Sequence, residues 1–484
     1  MKIKQRRAFR PFCFYNQTNK KMLEFKRLKE DFSEIKEYLI EYGGGFCDLS
    51  LGVRYMWRDD FVVDYAIFNH TLIMKETSPD YENAFYFPLG NDVLGALEKI
   101  EEYSLSNFLP LKFCCIDNAT AVLLTERYNR VSISNDRDWS DYIYDAEKFK
   151  TYSGKKFGGQ RNHVNKFKKL YPNYSFKQIE REDFPRIKEF LNEFNSKTEF
   201  LRWSEAVEQK KVFSLVEKMF ELNQVGGLID VDGKVVAFSV GERIGDTLIV
   251  HIEKALVKYD GVYPLMAQEF AKAFGDGIKF INREEDCGDD GLRISKLQYR
   301  PIDVKEKNFV KVKTLFEKIN SPILLKADQL YVTDIFERDK ERYCELYMDD
   351  ELNKWWGYDY CEDLGEETPS PDYFFSFQQK LKDKKEEYAL AVKKDNQMIG
   401  ELVLHNFDYF GGVEIGFRFF KESQGKGYAT KSVTALMDYA KNVLGAKKLK
   451  TRCFKENKPS FNLIGRLGFK MAREDNTHYY FEKE

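Results

Sequence analysis

The chain has 484 residues, of which 43% are hydrophobic and 32% are charged, and its formal net charge at pH 7 is −2. This length predicts about two to four domains, and the near-zero net charge excludes a general electrostatic attraction to nucleic acid or anionic lipid. Eight cysteines without a CxxC pair or a zinc-like spacing indicate reduced thiols, so we expect a cytoplasmic protein without a bound metal. No apolar run approaches the roughly 18–20 residues of a membrane-spanning helix.

The chain opens on a basic stretch that lacks the apolar centre of a signal peptide, so we expect residues 1–21 to form a flexible arm. Translation could equally start at Met22, where a helix-like segment (Lys26–Tyr42) and short aromatic strands follow. The composition and the order of predicted elements divide the rest of the chain into three units, over residues 22–145, 146–312 and 320–484.

The second unit holds a basic amphipathic helix near residues 155–169 and another helix over Phe184–Asn195. A strand series follows, in which Asp232-Gly233 separates two alternating runs and predicts a tight hairpin. The third unit repeats the same order of strands, glycine-bearing turn and amphipathic helix, which indicates duplicated folds.

The turn of the third unit reads QGKGYA, between the strand-like run VEIGFRFF and a helix that ends near Gly445. Apolar residues recur there at helical spacing, so the turn lies at a helix N-terminus, where free N–H groups and the helix dipole favour an anion. Glycine lets the backbone approach a phosphate closely, and Lys426 adds positive charge.

The spacing Gln424-x-x-Gly427-x-Ala429 resembles the phosphate-binding turn of the GNAT family of acetyl-CoA-dependent N-acyltransferases. EIGFRFF, KLKTRCF and NKPSFNLIGRLGF resemble that family's later elements, and the RimJ/RimL-type branch, which acetylates protein N-termini, is the most similar. The resemblance implies that the acyl donor is acetyl-CoA. It implies that the donor is held by Gln424, Gly425, Lys426, Gly427, Tyr428 and Ala429 at the pyrophosphate, and by Phe417, Phe419 and Asn457 along the pantetheine arm.

Many members of the GNAT family carry a tyrosine seven residues after the asparagine, where this chain has Ile464. Ser460 is therefore the candidate acid for the leaving sulfur, although it could simply cap a helix. Glu414 is the candidate base, directly or through water, and His405 is the second choice.

The segment 349–373 carries nine carboxylates and one lysine together with Trp355, Trp356 and Tyr358. In the layout of the GNAT family it borders the acceptor groove. Such a groove would suit a cationic amine, a peptide N-terminus or a lysine through charge attraction and cation–π contact. A solvated surface loop is the alternative.

The first two units resemble the DUF2156 family, which is similar to the C-terminal domain of phosphatidylglycerol lysyltransferase. That resemblance implies a tandem FemAB/lysyltransferase-like pair of GNAT-like folds with aminoacyl-tRNA as donor. In the second unit the phosphate turn is reduced to KYDGVYP, so a second acetyl-CoA site is not expected. Glu253, Arg293 and Lys296 could line a second cleft, or form a structural ion-pair network.

These observations predict an α/β fold of three GNAT-like units with mixed sheets flanked by helices. The predicted function is acetyl-CoA-dependent N-acetylation of an amine-bearing small molecule or peptide by the third unit. One alternative places the reaction in the N-terminal pair with aminoacyl-tRNA as donor, so that tRNA would be a partner. Another alternative is a non-catalytic scaffold that captures a peptide or RNA and recruits the acetyltransferase.

Overall fold

A computed structural model describes residues 22–128, 130–197, 203–356 and 370–484. Three mixed sheets are each flanked by helices, which confirms the predicted α/β class and the three units. The expected basic arm over residues 1–21 lies outside the described residues. Within the described part of the chain, no helix has the length and apolar character needed to cross a bilayer.

Unit 1 is built on an eight-stranded sheet with the order β1-β2-β3-β4-β6-β15-β7, and β5 pairs with β3. Its strands are β1 (Lys26–Arg27), β2 (Val62–Phe68), β3 (Thr71–Thr77), β4 (Ala84–Phe85), β5 (Leu89–Gly90), β6 (Lys112–Ile116), β7 (Val131–Asn135) and β15 (Asn308–Val312). Its helices are α1 (Lys36–Tyr42), α2 (Leu51–Met56), α3 (Val93–Ser106) and α4 (Asn118–Tyr128).

Unit 2 is built on a seven-stranded sheet with the order β14-β8-β13-β12-β11-β10-β9. Its strands are β8 (Asp141–Asp145), β9 (Ser175–Gln178), β10 (Gln224–Val231), β11 (Lys234–Ile244), β12 (Thr247–Ala255), β13 (Phe280–Asn282) and β14 (Asp303–Lys305). Its helices are α5 (Ala146–Thr151), α6 (Gly158–Leu170), α7 (Phe184–Lys197), α8 (Trp203–Lys218), α9 (Val262–Phe274) and α10 (Asp290–Gln298).

Unit 3 is built on an eight-stranded sheet with the order β16-β17-β18-β19-β20-β21-β23-β22. Its strands are β16 (Leu324–Ala327), β17 (Leu330–Asp334), β18 (Glu387–Lys394), β19 (Gln397–His405), β20 (Gly412–Phe419), β21 (Lys448–Phe454), β22 (Lys470–Glu474) and β23 (His478–Lys483). Its described helices are α11 (Lys340–Tyr347), α12 (Asp350–Trp356), α13 (Pro371–Asp383), α14 (Tyr428–Tyr439) and α15 (Lys458–Arg466).

The predicted repeat between units 2 and 3 is present in the sheets. In unit 2, β12 runs parallel to β13, but only Thr247–Ile249 pair with it. In unit 3, β20 runs parallel to β21, and only Gly412–Glu414 pair with it. In both units the two parallel strands therefore diverge towards the helix that follows the first of them, which leaves a wedge-shaped opening in the sheet.

Units 1 and 2 are interlocked at both of their junctions. β15, which follows unit 2 in the chain, completes the sheet of unit 1 between β6 and β7. β8, which precedes residue 146, pairs with β13 and β14 of unit 2. The structure thus differs from the expected division at residues 145/146 and 312 by one strand at each junction, because a sheet selects its strands by pairing and not by chain order.

Two local expectations have different outcomes. The hairpin at Asp232-Gly233 is present between β10 and β11, and both residues have the positive φ (51° and 85°) of a tight two-residue turn. The helix expected over residues 26–42 is wrong in its first half, where Lys26–Arg27 pair with β2 and α1 begins only at Lys36. The intervening Asp31 side chain accepts a hydrogen bond from the Ser33 amide, a local turn that competes with helix formation.

Candidate functional site

The turn from Gln424 to Ala429 lies between β20 and α14, as predicted. Gly425 and Gly427 have φ of 70° and 75°, and a side chain built on either residue would meet nothing within 4 Å. The glycines therefore serve the left-handed backbone of the turn and leave open space in front of it. The side-chain amide of Gln424 closes the turn by donating to the Phe419 carbonyl oxygen at 2.9 Å.

The backbone amides of this turn point to an anion site. Gly427 is the N-cap of the twelve-residue helix α14, and it provides no side-chain acceptor. Among the described residues, the backbone amides from Gly425 to Ala429 have no acceptor. Lys426 is exposed beside them. Free amides, the helix dipole and one ammonium group together favour a phosphate group at this position.

The edge of β20 that faces the wedge-shaped opening is the second element of the site. Pairing with β21 ends at Glu414 and Lys450, whereas β19 pairs with β20 as far as Phe419. The side chain of Phe419 is buried in the core of unit 3 and that of Phe417 is half-buried. The main chain of β20 beyond Glu414 is therefore not paired with β21 and leaves room for an extended molecule to add as a strand; the roles of Phe417 and Phe419 stay predictions.

Glu414 is fixed by two neighbours that the sequence did not indicate. Its Oε2 accepts a hydrogen bond from Asn406 Nδ2 at 2.8 Å, and its Oε1 lies 3.4 Å from Arg452 Nε. Burial alone would raise the pKa of Glu414, but His405, Arg452 and Asn406 outweigh it, and the pKa lies below its usual range. The carboxylate is therefore ionised at neutral pH, a state that can accept a proton.

His405, the second candidate base, is almost fully buried on β19. Its Nε2 lies 4.0 Å from Glu414 Oε1. Burial lowers the pKa of His405 to about 4, so the imidazole is neutral at pH 7. Its burial favours a packing role beside Glu414 over direct contact with an acceptor.

Ser460 lies near the start of α15, and its backbone rather than its side chain takes part in the helix cap. Asn457 is the N-cap residue, and its Oδ1 accepts a hydrogen bond from the Ser460 amide at 3.1 Å. The hydroxyl of half-buried Ser460 is not used by this cap. Ile464, at the position of the missing tyrosine, is fully buried in the core of unit 3.

The acidic segment of unit 3 is described only at its two ends, and Tyr358 lies outside the described residues. The ring of Trp355 stands edge-on to Phe454, at a centroid distance of 6.2 Å. Trp356 is buried, and its ring lies 4.5 Å from the guanidinium of Arg418, which donates to Glu401. Trp355 thus lies next to β21, whereas Trp356 belongs to a buried ion-pair network.

A cavity of about 1590 Å³ lies at the seam between units 1 and 2. Glu253 and Lys296 both line it, whereas Arg293 does not. Arg293 instead forms an ion pair with Asp286 at 2.8 Å and another with Asp138. The structure therefore brings two of the three candidate residues of the second cleft together and assigns the third to an ion-pair network.

The wall of the seam cavity contains one lysine, Lys296, whose hydrogen bonds to the described part of the chain include no carboxylate. Lys296 Nζ donates to the carbonyl oxygens of Arg283 and Glu285, and burial lowers its pKa. Arg283 pairs with Glu253 at 2.8 Å, and its guanidinium lies 4.7 Å from the ring of Tyr299. Arg283 thus links Glu253 to Lys296, a role that no local pattern of the sequence indicates.

A cluster of acidic residues at the same seam holds an ammonium group. Cys47, Asp48, Asp141 and Glu285 present ligand atoms within 4.8 Å of one another. Lys307 Nζ lies among them, 2.7 Å from Asp141 and 3.2 Å from the Cys47 sulfur. The ammonium group of Lys307 balances the negative charge of these carboxylates, which a metal ion would otherwise balance. The four residues therefore fit a structural ion-pair cluster better than a metal centre.

The turn of unit 2 that corresponds to the Gln424–Ala429 turn is covered. Gly261 is the N-cap of α9 with φ 85°, and a side chain there would meet the His163 carbonyl oxygen of α6 at 2.2 Å. Lys166 of α6 also forms an ion pair with Asp260. The basic helix therefore packs on this turn and fills the space that a diphosphate would need. His163 and the preceding Lys156 also line the seam cavity.

These folds and sites define an acyltransferase of the GNAT class. Residues 329–470 match the sequence model of the acetyltransferase (GNAT) domain. Residues 44–310, more than half of the chain, match the model of the phosphatidylglycerol lysyltransferase C-terminal domain. The chain belongs to this second family, with a GNAT acetyltransferase domain fused behind it, as both resemblances predicted.

One solved structure and two curated relatives are similar to parts of this chain. A conserved protein of unknown function from Bacteroides thetaiotaomicron VPI-5482 shares 28% identity and a TM-score of 0.56, over 60% of this chain and 100% of that one. The uncharacterized protein MYCGA3080 of Mycoplasmoides gallisepticum is 24% identical over 36% of this chain, a match that spans 56% of the relative. The uncharacterized N-acetyltransferase p20 of Bacillus licheniformis is 23% identical over 30% of this chain and 81% of its own length.

Proposed function

We propose that unit 3, residues 320–484, transfers the acetyl group of acetyl-CoA to a primary amine. The observation that carries this proposal is the open Gln424–Ala429 turn, whose backbone amides have no protein acceptor among the described residues, beside the unpaired edge of β20. Acetyl-CoA supplies the acetyl group as a reactive thioester. The turn would hold its diphosphate, and the main chain near Phe417 and Phe419 would pair with its pantetheine arm.

Proton handling is the second part of the proposal. The ionised Glu414 takes a proton from the attacking amine, directly or through water, and it is held for this task by Asn406 and Arg452. The hydroxyl of Ser460 holds a proton for the departing sulfur, since Asn457 already caps the helix.

The acceptor that we propose is a protein N-terminus or a small cationic amine. The sequence of residues 349–373 carries nine carboxylates and one lysine, a local excess of negative charge that would attract a cation. Trp355, next to β21, is the aromatic residue proposed for this contact, and its ring already holds the Lys354 ammonium group 4.9 Å from its centroid.

Acetyl-CoA titration of the full-length protein by calorimetry, followed by thiol-release assays, tests this proposal. The acceptor panel contains a polyamine, free lysine and peptides with free or blocked N-termini. We expect micromolar binding of acetyl-CoA, thiol release with at least one free amine, and loss of turnover in Glu414→Gln with binding retained. A protein that neither binds acetyl-CoA nor releases thiol would contradict the proposal.

The seam cavity favours a second candidate function, an aminoacyl transfer with aminoacyl-tRNA as donor. Glu253 and Lys296 lie in the wall of this cavity, and Lys156 and His163 lie at its border with the basic helix α6. A covered phosphate turn excludes the CoA-binding mode of unit 3, but an aminoacyl ester could reach the wedge between β12 and β13 from the cavity. RNA binding that weakens steeply with salt, and weakens further in Lys156→Glu, would support this function.

A scaffold without catalysis is the remaining alternative for the N-terminal pair. Binding of an unacylated RNA or peptide at the seam cavity, with no transfer of an aminoacyl group, would favour it. In that case Lys296→Met would leave every measured turnover unchanged.

A further inference from the structure

The loop between β19 and β20, residues 406–411, connects unit 3 to the core of unit 1. Tyr409 at its tip is only 2% exposed and packs within the apolar core of unit 1. Its hydroxyl donates to the Leu109 carbonyl oxygen at 3.2 Å, and its ring stands edge-on to Tyr128. A side chain from the third unit thus completes the core of the first.

The neighbour of Tyr409 extends this contact along the surface of unit 1. The ring of Phe410 lies 5.8 Å from Tyr128, and the guanidinium of Arg127 lies 5.7 Å from the Phe410 ring. Burying one tyrosine ring in an apolar core typically stabilises a contact by about 2 kcal/mol. The tip of the loop is therefore anchored firmly in unit 1.

The stem of the same loop holds the candidate base. Asn406 donates to Glu414 at 2.8 Å. Asp408 accepts hydrogen bonds from the amide of Gly412, the first residue of β20, and from Lys450 Nζ at 2.7 Å. Only two residues separate Asn406 from Tyr409 in the chain, so the anchor and the hydrogen bond to Glu414 belong to one short segment.

We propose that Tyr409 is a positioning residue for acetyl transfer, because its docking in unit 1 fixes the 406–411 loop and, through Asn406, the carboxylate of Glu414. This inference rests on the proposed function of unit 3. It implies that the N-terminal pair supports the activity of unit 3, since Tyr409 packs in the apolar core of unit 1. Among the described residues, no hydrogen bond joins the loop to the Gln424–Ala429 turn, so we expect binding of the donor to be independent of the loop.

The experiment compares Tyr409→Ala, Tyr409→Phe and the matched control Tyr331→Ala in the full-length protein. Tyr331 is an exposed tyrosine of β17. We expect Tyr409→Ala to lower kcat at least tenfold with an unchanged Kd for acetyl-CoA. Tyr409→Phe, which keeps the ring and loses the hydroxyl that donates to Leu109, should restore most of kcat, and Tyr331→Ala should behave as wild type.

Hydrogen exchange separates this inference from the proposed function. In Tyr409→Ala we expect faster amide exchange over residues 406–414 and unchanged exchange at the Gln424–Ala429 turn. Unchanged exchange at 406–414 would overturn the positioning role whatever the activity of the wild type. A wild type without turnover would refute the proposed function by itself. Phe410→Ala is the second variant if Tyr409→Ala does not fold, because Phe410 is a half-exposed residue of the same loop tip. We expect Phe410→Ala to lower kcat about threefold. An unchanged kcat in Phe410→Ala would overturn the inference.

Discussion

The glycine turns of units 2 and 3 have the same backbone and opposite surroundings. Gly261 and Gly427 each cap a helix with positive φ, 85° and 75°, after a strand that diverges from its parallel neighbour. A side chain at Gly427 would point into open space, whereas one at Gly261 would collide with α6. The comparison shows that the same turn is open in one unit and covered in the other, depending on whether a helix packs on it.

The largest expected effect comes from placing a negative charge on the open turn. Gly427→Glu should weaken acetyl-CoA binding roughly 1,000-fold, about 4 kcal/mol, since the carboxylate repels the diphosphate and occupies its space. Calorimetry measures the affinity. Gly465→Glu makes the same charge change at an exposed position of α15 with open space around it and should bind as the wild type does. Equal affinities of the two variants would refute the open turn as the donor site.

Substituting alanine for the N-cap glycine of each turn tests the comparison through the free energy of unfolding. Gly261→Ala should lower the free energy of unfolding by about 3 kcal/mol, because the added carbon lies 2.2 Å from the His163 carbonyl oxygen and must displace α6. Gly427→Ala should cost only about 1 kcal/mol, the strain of a left-handed alanine. Urea unfolding of both variants provides the measurement, and a larger loss at Gly427 would contradict the structure.

Two buried histidines, one in unit 2 and one in unit 3, should make the stability of the protein depend on pH in opposite directions. In unit 2, burial lowers the pKa of His251, but Glu242 and Glu284 outweigh it and raise the pKa from 6.5 to about 9. Its contribution to stability is complete below pH 6.5 and is lost between pH 6.5 and 9. In unit 3, burial lowers the pKa of His405 to about 4, so its contribution is complete above pH 6.5 and is lost between pH 6.5 and 4.

Each histidine could contribute about 3 kcal/mol over its pH range. Urea midpoints measured from pH 4 to 9.5 test this expectation. His251→Gln should flatten the alkaline side of the profile, and His405→Gln should flatten the acid side. A variant that flattens the opposite side, or neither side, would contradict the assignment for that histidine.

The smallest expected effect concerns the leaving group in unit 3. Ser460→Ala should lower kcat roughly tenfold, because a thiolate is a good leaving group that gains modestly from an acid. Helix α15 should keep its stability, since the Asn457 cap uses the Ser460 amide and not its hydroxyl. Steady-state thiol release measures kcat. Asn457→Ala is the matched control for the cap and should lower the free energy of unfolding by about 1 kcal/mol.

The short-range features of the chain could be predicted because they depend on local chemistry. Asp232-Gly233 indicates a hairpin, and Gly427 with its neighbours indicates a turn at a helix N-terminus. Both features are set by the φ angles of a few residues and by the strand or helix that follows. The candidate base was found in the same way, as a glutamate on a predicted strand beside the turn. Arg452, which holds Glu414, could not be found from the sequence, because it is 38 residues away and meets Glu414 only when β20 and β21 pair.

The amino-acid sequence determined the three α/β units and the place of the glycine turn at residues 424–429, because periodicity and glycine spacing act over one or two elements. Its motifs carried the resemblance to the two families. The tertiary structure alone decided that α6 closes the turn of unit 2, that β8 and β15 interlock the N-terminal pair, and that Tyr409 enters the core of unit 1. These contacts join residues far apart in the chain, and their energies depend on shape and burial, which no local pattern of residues specifies.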